Sequence, residues 1–279
     1  MNMFVPELIR KEGLRQGLRP KTIQTYQQCV DKFFRMCQKE PFAVRKQDIQ
    51  EFLDRLIERG APGNTINVYL NALKFFYEEI LHRRLMVNIK FSKTPRRLPM
   101  FLTQEEVGRL LGVISNPKHQ LLIELLYSSG MRISELLNLR VRDLELGGKY
   151  GWIRDGKGGK DRPFIIAERL FGELRCWIEQ NNLRADNYVF FSYGQKQYDS
   201  SSVREILKLA VKRAGITKKI YPHMLRHSFA THLLENGYAV TDVQPLLGHA
   251  RLETTLVYTH LAAPKLFTVQ SPLDTLGTT

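Results

Sequence analysis

Long apolar runs are missing from this 279-residue chain. No stretch approaches the ~18 residues needed to cross a bilayer. The opening Met-Asn-Met-Phe-Val-Pro-Glu also lacks the charged-then-apolar pattern of a secretion signal. Cysteine is scarce, with Cys29, Cys37 and Cys176 the only three. Cys29 and Cys37 lie on one predicted helix, roughly 12 Å apart along its axis, too far for a disulfide. With no Cys-x-x-Cys and no metal-ligand cluster, a reduced, cytoplasmic protein is expected. A Walker loop, a dinucleotide fingerprint, a zinc pattern and a Gly-x-Ser-x-Gly elbow are absent too. Acidic residues are outnumbered, 28 against 42 Lys and Arg, for a formal net charge of +14. That excess draws the chain to a polyanion, most commonly nucleic acid, with a membrane surface as the rival partner.

The apolar residues are arranged for helices. Ile23, Tyr26, Val30, Phe33, Phe34 and Cys37 recur every three or four positions, as do Ile49, Phe52, Leu53, Leu56 and Ile57, a run that Gly60 stops. Asn64 is a candidate N-cap for a third helix carrying Ile66, Tyr69, Leu70, Leu73, Phe76, Tyr77 and Ile80. The spacing predicts a small bundle whose aromatic stripe is core rather than a base-stacking platform. From His82 to Met100 the composition changes to Arg83, Arg84, Lys90, Lys93, Arg96 and Arg97 with Pro95 and Pro99, an extended basic linker. The organisation read from this is an N-terminal helical domain over 1–90, a linker over 91–100 and a second domain over 101–279. Thr103-Gln-Glu-Glu106 is a capping box that starts a helix. Tyr150 to Ile153 and Arg162 to Ile166 flank Asp-Gly-Lys-Gly-Gly-Lys-Asp as a hairpin, and helices resume near Glu168, Ser202, Met224 and Thr241. The class is mainly α with a small antiparallel sheet (α+β).

Several local settings in the second domain suit chemistry. Gly130-Met-Arg-Ile-Ser-Glu135 puts an Arg at a helix start with a Glu one turn on. His223-Met-Leu-Arg226 puts a His and an Arg on one helical face. Leu247-Gly248-His249 ends a helix at glycine, and Thr254-Thr-Leu-Val-Tyr258 follows closely. Taken singly, each has an ordinary explanation in a surface ion pair, a solvated face or a half-buried ring. Together with the Gly-Lys-Gly hairpin and the phrase Pro222-His-Met-Leu-Arg-His-Ser-Phe-Ala-Thr-His232, they resemble the tyrosine recombinases, closest to the Xer and phage-integrase branch. The likeness covers the second domain and, less specifically, the N-terminal bundle.

The resemblance implies a site-specific DNA recombinase that cleaves and rejoins strands through a 3′-phosphotyrosine link, which conserves bond energy and needs neither ATP nor metal. It makes Tyr258 the nucleophile, and Arg132 and Arg226, supported by His249, a clamp on the charge that builds on the phosphate oxygens. His223 becomes the candidate general acid/base, because a phenol with a pKa near ~10 needs help losing its proton. Lys157 in the hairpin matches the general acid for the departing 5′-oxygen, with Lys160 as the alternative, and Glu135 matches an acid that holds the site together. In the C-shaped clamp that the family implies, Arg83, Arg84, Lys93, Arg96 and Arg97 track phosphates. Arg204, Lys208 and Lys212 share one helical face that fits either phosphate contact or plain solvation. The tail, with Leu261, Leu266 and Phe267 as candidate anchors and with Pro264 and Pro272 limiting any helix to a short one, is expected to dock on a neighbouring protomer of a tetramer. A type IB topoisomerase-like enzyme and a DNA-binding protein that has lost catalysis are the alternatives. Duplex DNA at a specific site is the expected partner.

Overall fold

A computed structural model describes residues 4–84, 100–154, 156, 161–248 and 253–260. The chain divides into two units, Met1–Arg96 and Arg97–Thr279, each with its own core. Among the described residues no helix is long and apolar enough to cross a membrane.

Helical spacing of apolar residues builds the first unit from α1 (Phe4–Arg15), α2 (Pro20–Cys37), α3 (Lys46–Glu58) and α4 (Gly63–Lys74). α1 was not foreseen from the sequence, and α4 starts from Pro62 rather than from an Asn64 cap. Pro62 in extended backbone stops the preceding turn, and its carbonyl accepts the first helical N–H groups, from Thr65 and Ile66. Ile57 is 54% exposed, on the solvent side of its helix. α4 runs on into one π-helical stretch, Phe75–Ile80, whose wider turn takes three consecutive aromatics, Phe75, Phe76 and Tyr77, inside. The aromatic stripe is core: Phe33 meets Phe52 edge-on at 5.1 Å between centroids, and Phe34 meets Phe76 edge-on at 5.6 Å. Offset and edge-to-face pairs of this kind add to the area that they bury.

The second unit is helical around a small antiparallel sheet. Its elements are α5 (Gln104–Gly112), α6 (Pro117–Ser128), α7 (Ile133–Asn138), β1 (Leu144–Glu145), β2 (Tyr150–Ile153), β3 (Arg162–Ile165), α8 (Leu170–Gln180), α9 (Ser200–Arg213), α10 (Pro222–Glu235), α11 (Val240–Leu247) and α12 (Glu253–Leu256). A 3-10 turn, Val257–His260, follows. The strands run in the order β1-β2-β3, with Ile153 opposite Arg162 and Tyr150 opposite Ile165. Thr103 caps α5 as its box predicts, its hydroxyl accepting the Glu106 N–H at 3.2 Å while Glu106 accepts the Thr103 N–H at 2.8 Å.

The element that positions the site is α10. Pro222 occupies its first turn, where the missing N–H costs nothing. Met224, Leu225, Arg226 and Ser228 to His232 are all buried. Polar contacts fix its rotation. The Ser228 hydroxyl accepts the Leu102 N–H at 2.8 Å, and the Tyr127 hydroxyl of α6 bonds His232 Nδ1 at 2.8 Å. In the first unit, Phe33→Ala removes a side chain with no exposure. It is expected to cost about 3–5 kcal/mol, read as a lower urea midpoint for unfolding of that unit.

Candidate active site

Arg132 is the N-cap of α7, in extended backbone with φ −75° and ψ 148°. Glu135, three residues on, closes the first turn by accepting the Arg132 backbone N–H at 2.9 Å and Arg132 Nη1 at 2.6 Å. An acid at this position satisfies an orphan donor and sits at the favourable end of the helix dipole. The same carboxylate accepts Arg162 Nη2 of β3 at 2.7 Å, and Arg226 Nη1 of α10 stands 4.0 Å from it. The Glu135, Arg162 and Arg226 side chains are 7%, 7% and 3% exposed, so this is a buried cluster with more guanidinium than carboxylate. Burial pushes the Glu135 carboxyl up, but Arg162 and then Arg132 outweigh it, and its pKa ends below the ordinary value. Burial, then Arg132 and Arg162, pull Arg226 down to about 10, still cationic at neutral pH.

Both buried arginines also hold backbone. Arg226 Nη1 donates to the Gly130 carbonyl at 2.7 Å, and its Nη2 donates to the Leu247 carbonyl at the end of α11. Arg162 Nη1 donates to the Leu246 carbonyl. Two glycines permit this closeness. Gly130 has φ +61°, and a Cβ there would lie 2.3 Å from the Phe229 ring; Gly248 has φ +60°, and a Cβ would lie 2.5 Å from Arg162 Cδ.

Tyr258, in the 3-10 turn after α12, is 4% exposed and packs with Phe229, Ala230, Val243 and Leu247. Its hydroxyl lies 2.8 Å from His227 Nδ1, and the two rings are 5.5 Å apart. His223, one helical turn earlier, stacks on His227 at 6.2 Å with 23° between the planes. Burial raises the Tyr258 phenol, with Arg226 and Arg132 working against it. Burial, then His223 and Arg226, bring His227 down to about 4, so it is neutral at pH 7. His223, near the surface, is lowered by desolvation, then by Arg226 and Arg132.

Of the residues singled out in the sequence, Arg132, Glu135, His223, Arg226 and Tyr258 gather here. Lys157, Lys160 and His249 lie outside the described residues, as do Lys90, Lys93, Arg96, Arg97, Leu261, Leu266 and Phe267. Arg83 is engaged within its own unit, donating to the Pro41 and Val44 carbonyls at 3.0 and 3.2 Å, whereas Arg84 is exposed. Arg204, Lys208 and Lys212 line the solvent face of α9; Arg204 donates to the Ser200 hydroxyl and Lys208 reaches Glu205 at 3.4 Å. Sequence reasoning missed Arg162 and His227. The alternation of Arg162, Phe164 and Ile166 on the inward face of a strand was the available signal for the first. The i+4 spacing from His223 was the signal for the second.

Two outcomes follow. Arg162→Ala leaves a buried carboxylate short of a partner and is expected to cost about 3–5 kcal/mol by urea unfolding, with Arg162→Lys recovering only part because it lacks the fork that spans Glu135 and Leu246. Acid is also expected to unfold the second unit. His223, His227 and His232 titrate lower in the fold than in the open chain, so the unfolded state binds more protons below the ordinary histidine value of 6.5. Their stabilisation is full above that pH and is lost as pH falls toward 4. Melting temperature should drop across this window, and His227→Asn should flatten the drop.

Comparison with known proteins agrees with the geometry. Residues 100–264 match the model of the phage integrase family, and residues 8–86 match the phage integrase N-terminal SAM-like domain. Tyrosine recombinase XerA of Pyrococcus furiosus is 36% identical over 258 residues, covering 90% of this chain and 87% of its own. A tyrosine recombinase of Thermosipho africanus is 34% identical over 259 residues, covering 88% and 90%. Among solved structures, XerA recombinase superposes with a TM-score of 0.56 at 29% identity, covering 95% of each chain. XerH site-specific recombinase, in a post-cleavage complex with a palindromic difH substrate, gives 0.72 at 26% identity, covering 90% of this chain and 80% of its own. The chain belongs to the tyrosine recombinase (phage integrase) family.

Proposed function

We propose that the protein is a site-specific DNA recombinase whose Tyr258 attacks a phosphodiester, holds the 3′-phosphate covalently, and yields it to the 5′-hydroxyl of a partner duplex. The convergence of Tyr258 with two arginines on one buried carboxylate carries this reading. Glu135 draws in Arg132, Arg162 and Arg226 but leaves positive charge in excess, and Arg226 lowers the Tyr258 phenol as a neighbour would. A phosphate beside Tyr258 meets Arg132 and Arg226, whose planar donors match its non-bridging oxygens and strengthen as charge builds there. His223 at the rim faces the same phosphate. Lys157 in the β2–β3 hairpin supplies the proton for the departing 5′-oxygen, and His249, next after the Gly248 cap, adds a donor to the clamp.

The net charge of +14 supplies sequence-independent attraction to the duplex. In this reading the N-terminal unit (1–90) and the catalytic unit (101–279) each contact DNA, and the basic stretch 91–100 links them in sequence. Arg84, Lys93, Arg96, Arg97 and the α9 face of Arg204, Lys208 and Lys212 contact phosphates. Arg83 acts less directly, because its guanidinium already holds two carbonyls. Strand exchange between two duplexes calls for a homotetramer, linked through the tail after Tyr258, working in the cytoplasm.

A pool of nicked duplexes with randomised sequence tests the reading. Nicking lets the short strand diffuse away after attack, so the protein–DNA adduct survives denaturation. Wild-type protein is expected to enrich one sequence as adduct, and Tyr258→Phe to give no adduct on the recovered duplex while still shifting it in a gel. Two copies of that duplex should then exchange strands. Supercoil relaxation without exchange identifies a topoisomerase, and a gel shift without adduct refutes the catalytic reading.

A further inference from the structure

We infer that His227 is a further catalytic residue, whose Nδ1 takes the Tyr258 proton as the phenol oxygen attacks the phosphate and returns it when the strand is resealed. The inference rests on the assignment of Tyr258 as nucleophile. It starts from a contact: the nitrogen that touches the Tyr258 hydroxyl, at 2.8 Å, belongs to His227, and this is within reach for direct proton transfer. A phenol is a stronger acid than a neutral imidazole N–H, so the hydroxyl donates and the ring carries its own proton on Nε2. His223 stacks on the ring of His227 a turn away, which leaves His223 toward the phosphate side of the reaction.

Neutral His227 has a free Nδ1 lone pair at pH 7, because burial, His223 and Arg226 disfavour its cation. Those same causes make it a reluctant base in the free protein. A scissile phosphate seated on Arg132 and Arg226 brings negative charge that opposes them, so basicity rises when DNA is bound. Among the described residues, the other ionisable groups bearing on the pair are Arg226 and His223 of α10 and Arg132 at the start of α7; Glu135 and Arg162 act one step away, on Arg226. Tyr127 of α6 faces His232 instead, and Asp242 of α11 caps that helix at its far end.

The step balances. The Tyr258 O–H bond breaks and its proton passes to Nδ1, while the oxygen pair forms the new P–O bond. The P–O5′ bond breaks with its pair on the 5′-oxygen, which is protonated by the general acid assigned to Lys157. Resealing reverses both transfers.

Single-turnover adduct formation on the nicked duplex recovered by selection tests the assignment. His227→Ala is expected to cut the rate about 100-fold at pH 7, within the range for loss of a general base. The deficit should shrink as pH rises toward the phenol range, and added imidazole should restore part of the rate. A duplex with sulfur in place of the bridging 5′-oxygen, whose thiolate leaves without a proton, should not relieve it. Should His227→Ala lose its native melt, His227→Asn decides, because it keeps an acceptor in place but has no basic nitrogen. A folded, DNA-binding variant that cleaves within about threefold of wild type, a deficit equal at every pH, or relief by the sulfur duplex would each overturn the inference. Failure of the wild type to form any adduct would instead defeat the assignment of Tyr258.

Discussion

Everything in the catalytic unit turns on the buried Glu135 carboxylate. Three guanidiniums cannot share a dry site without an anion, since like charges repel strongly where water cannot screen them. Glu135 binds two of them directly and lies 4.0 Å from the third. In doing so it joins parts of the chain distant in sequence: the start of α7, the first residue of β3 and the second turn of α10. Arg162 and Arg226 extend the tie to the last carbonyls of α11, just before His249. One carboxylate therefore both permits the charge and fixes its geometry. Because one carboxylate falls short of neutralising three cations, the cluster keeps a net positive charge.

Burial of Tyr258 follows from the same arrangement. Its ring packs with Phe229 of α10 and Val243 and Leu247 of α11, and on Gly130 a side chain would run into the Phe229 ring. The cost of that burial is a phenol harder to ionise than in water. Arg226 and Arg132 offset part of it, and the His227 contact supplies a destination for the proton. A dry pocket also keeps water that the site's own groups could activate from competing with the incoming 5′-hydroxyl for the phosphotyrosine.

Much of this was legible in the sequence. The capping box at Thr103, the hairpin, α10 and the aromatic core of the bundle all follow from spacing and turn chemistry. The five described site residues carried a recognisable order. What escaped notice was set by tertiary context. Arg162 reads as a strand-end cation until the inward face of β3 is seen to meet α7. His227 lies inside a quoted motif, but only the packing of the 3-10 turn against α10 reveals which histidine meets Tyr258. The π-helical end of α4 likewise answers to the bundle interior, which demands three neighbouring aromatics on one side, a pattern that neither helical nor strand periodicity announces.

The choice of arginine at these three positions has a physical basis. Burial and like charge lower Arg226 from 12.5 to about 10, which leaves it protonated. A lysine facing the same penalty would fall from about 10.4 to roughly 8 and lose part of its charge at neutral pH, and it could not bridge a carboxylate and a carbonyl at once. A group that must give up a proton needs the opposite property. Lysine has it, since an ammonium shifts its pKa readily when buried or set beside other cations, and the proton donor proposed above, Lys157, is a lysine. Fixed charge thus suits arginine and proton delivery suits lysine, a division that the two side chains' acidities impose.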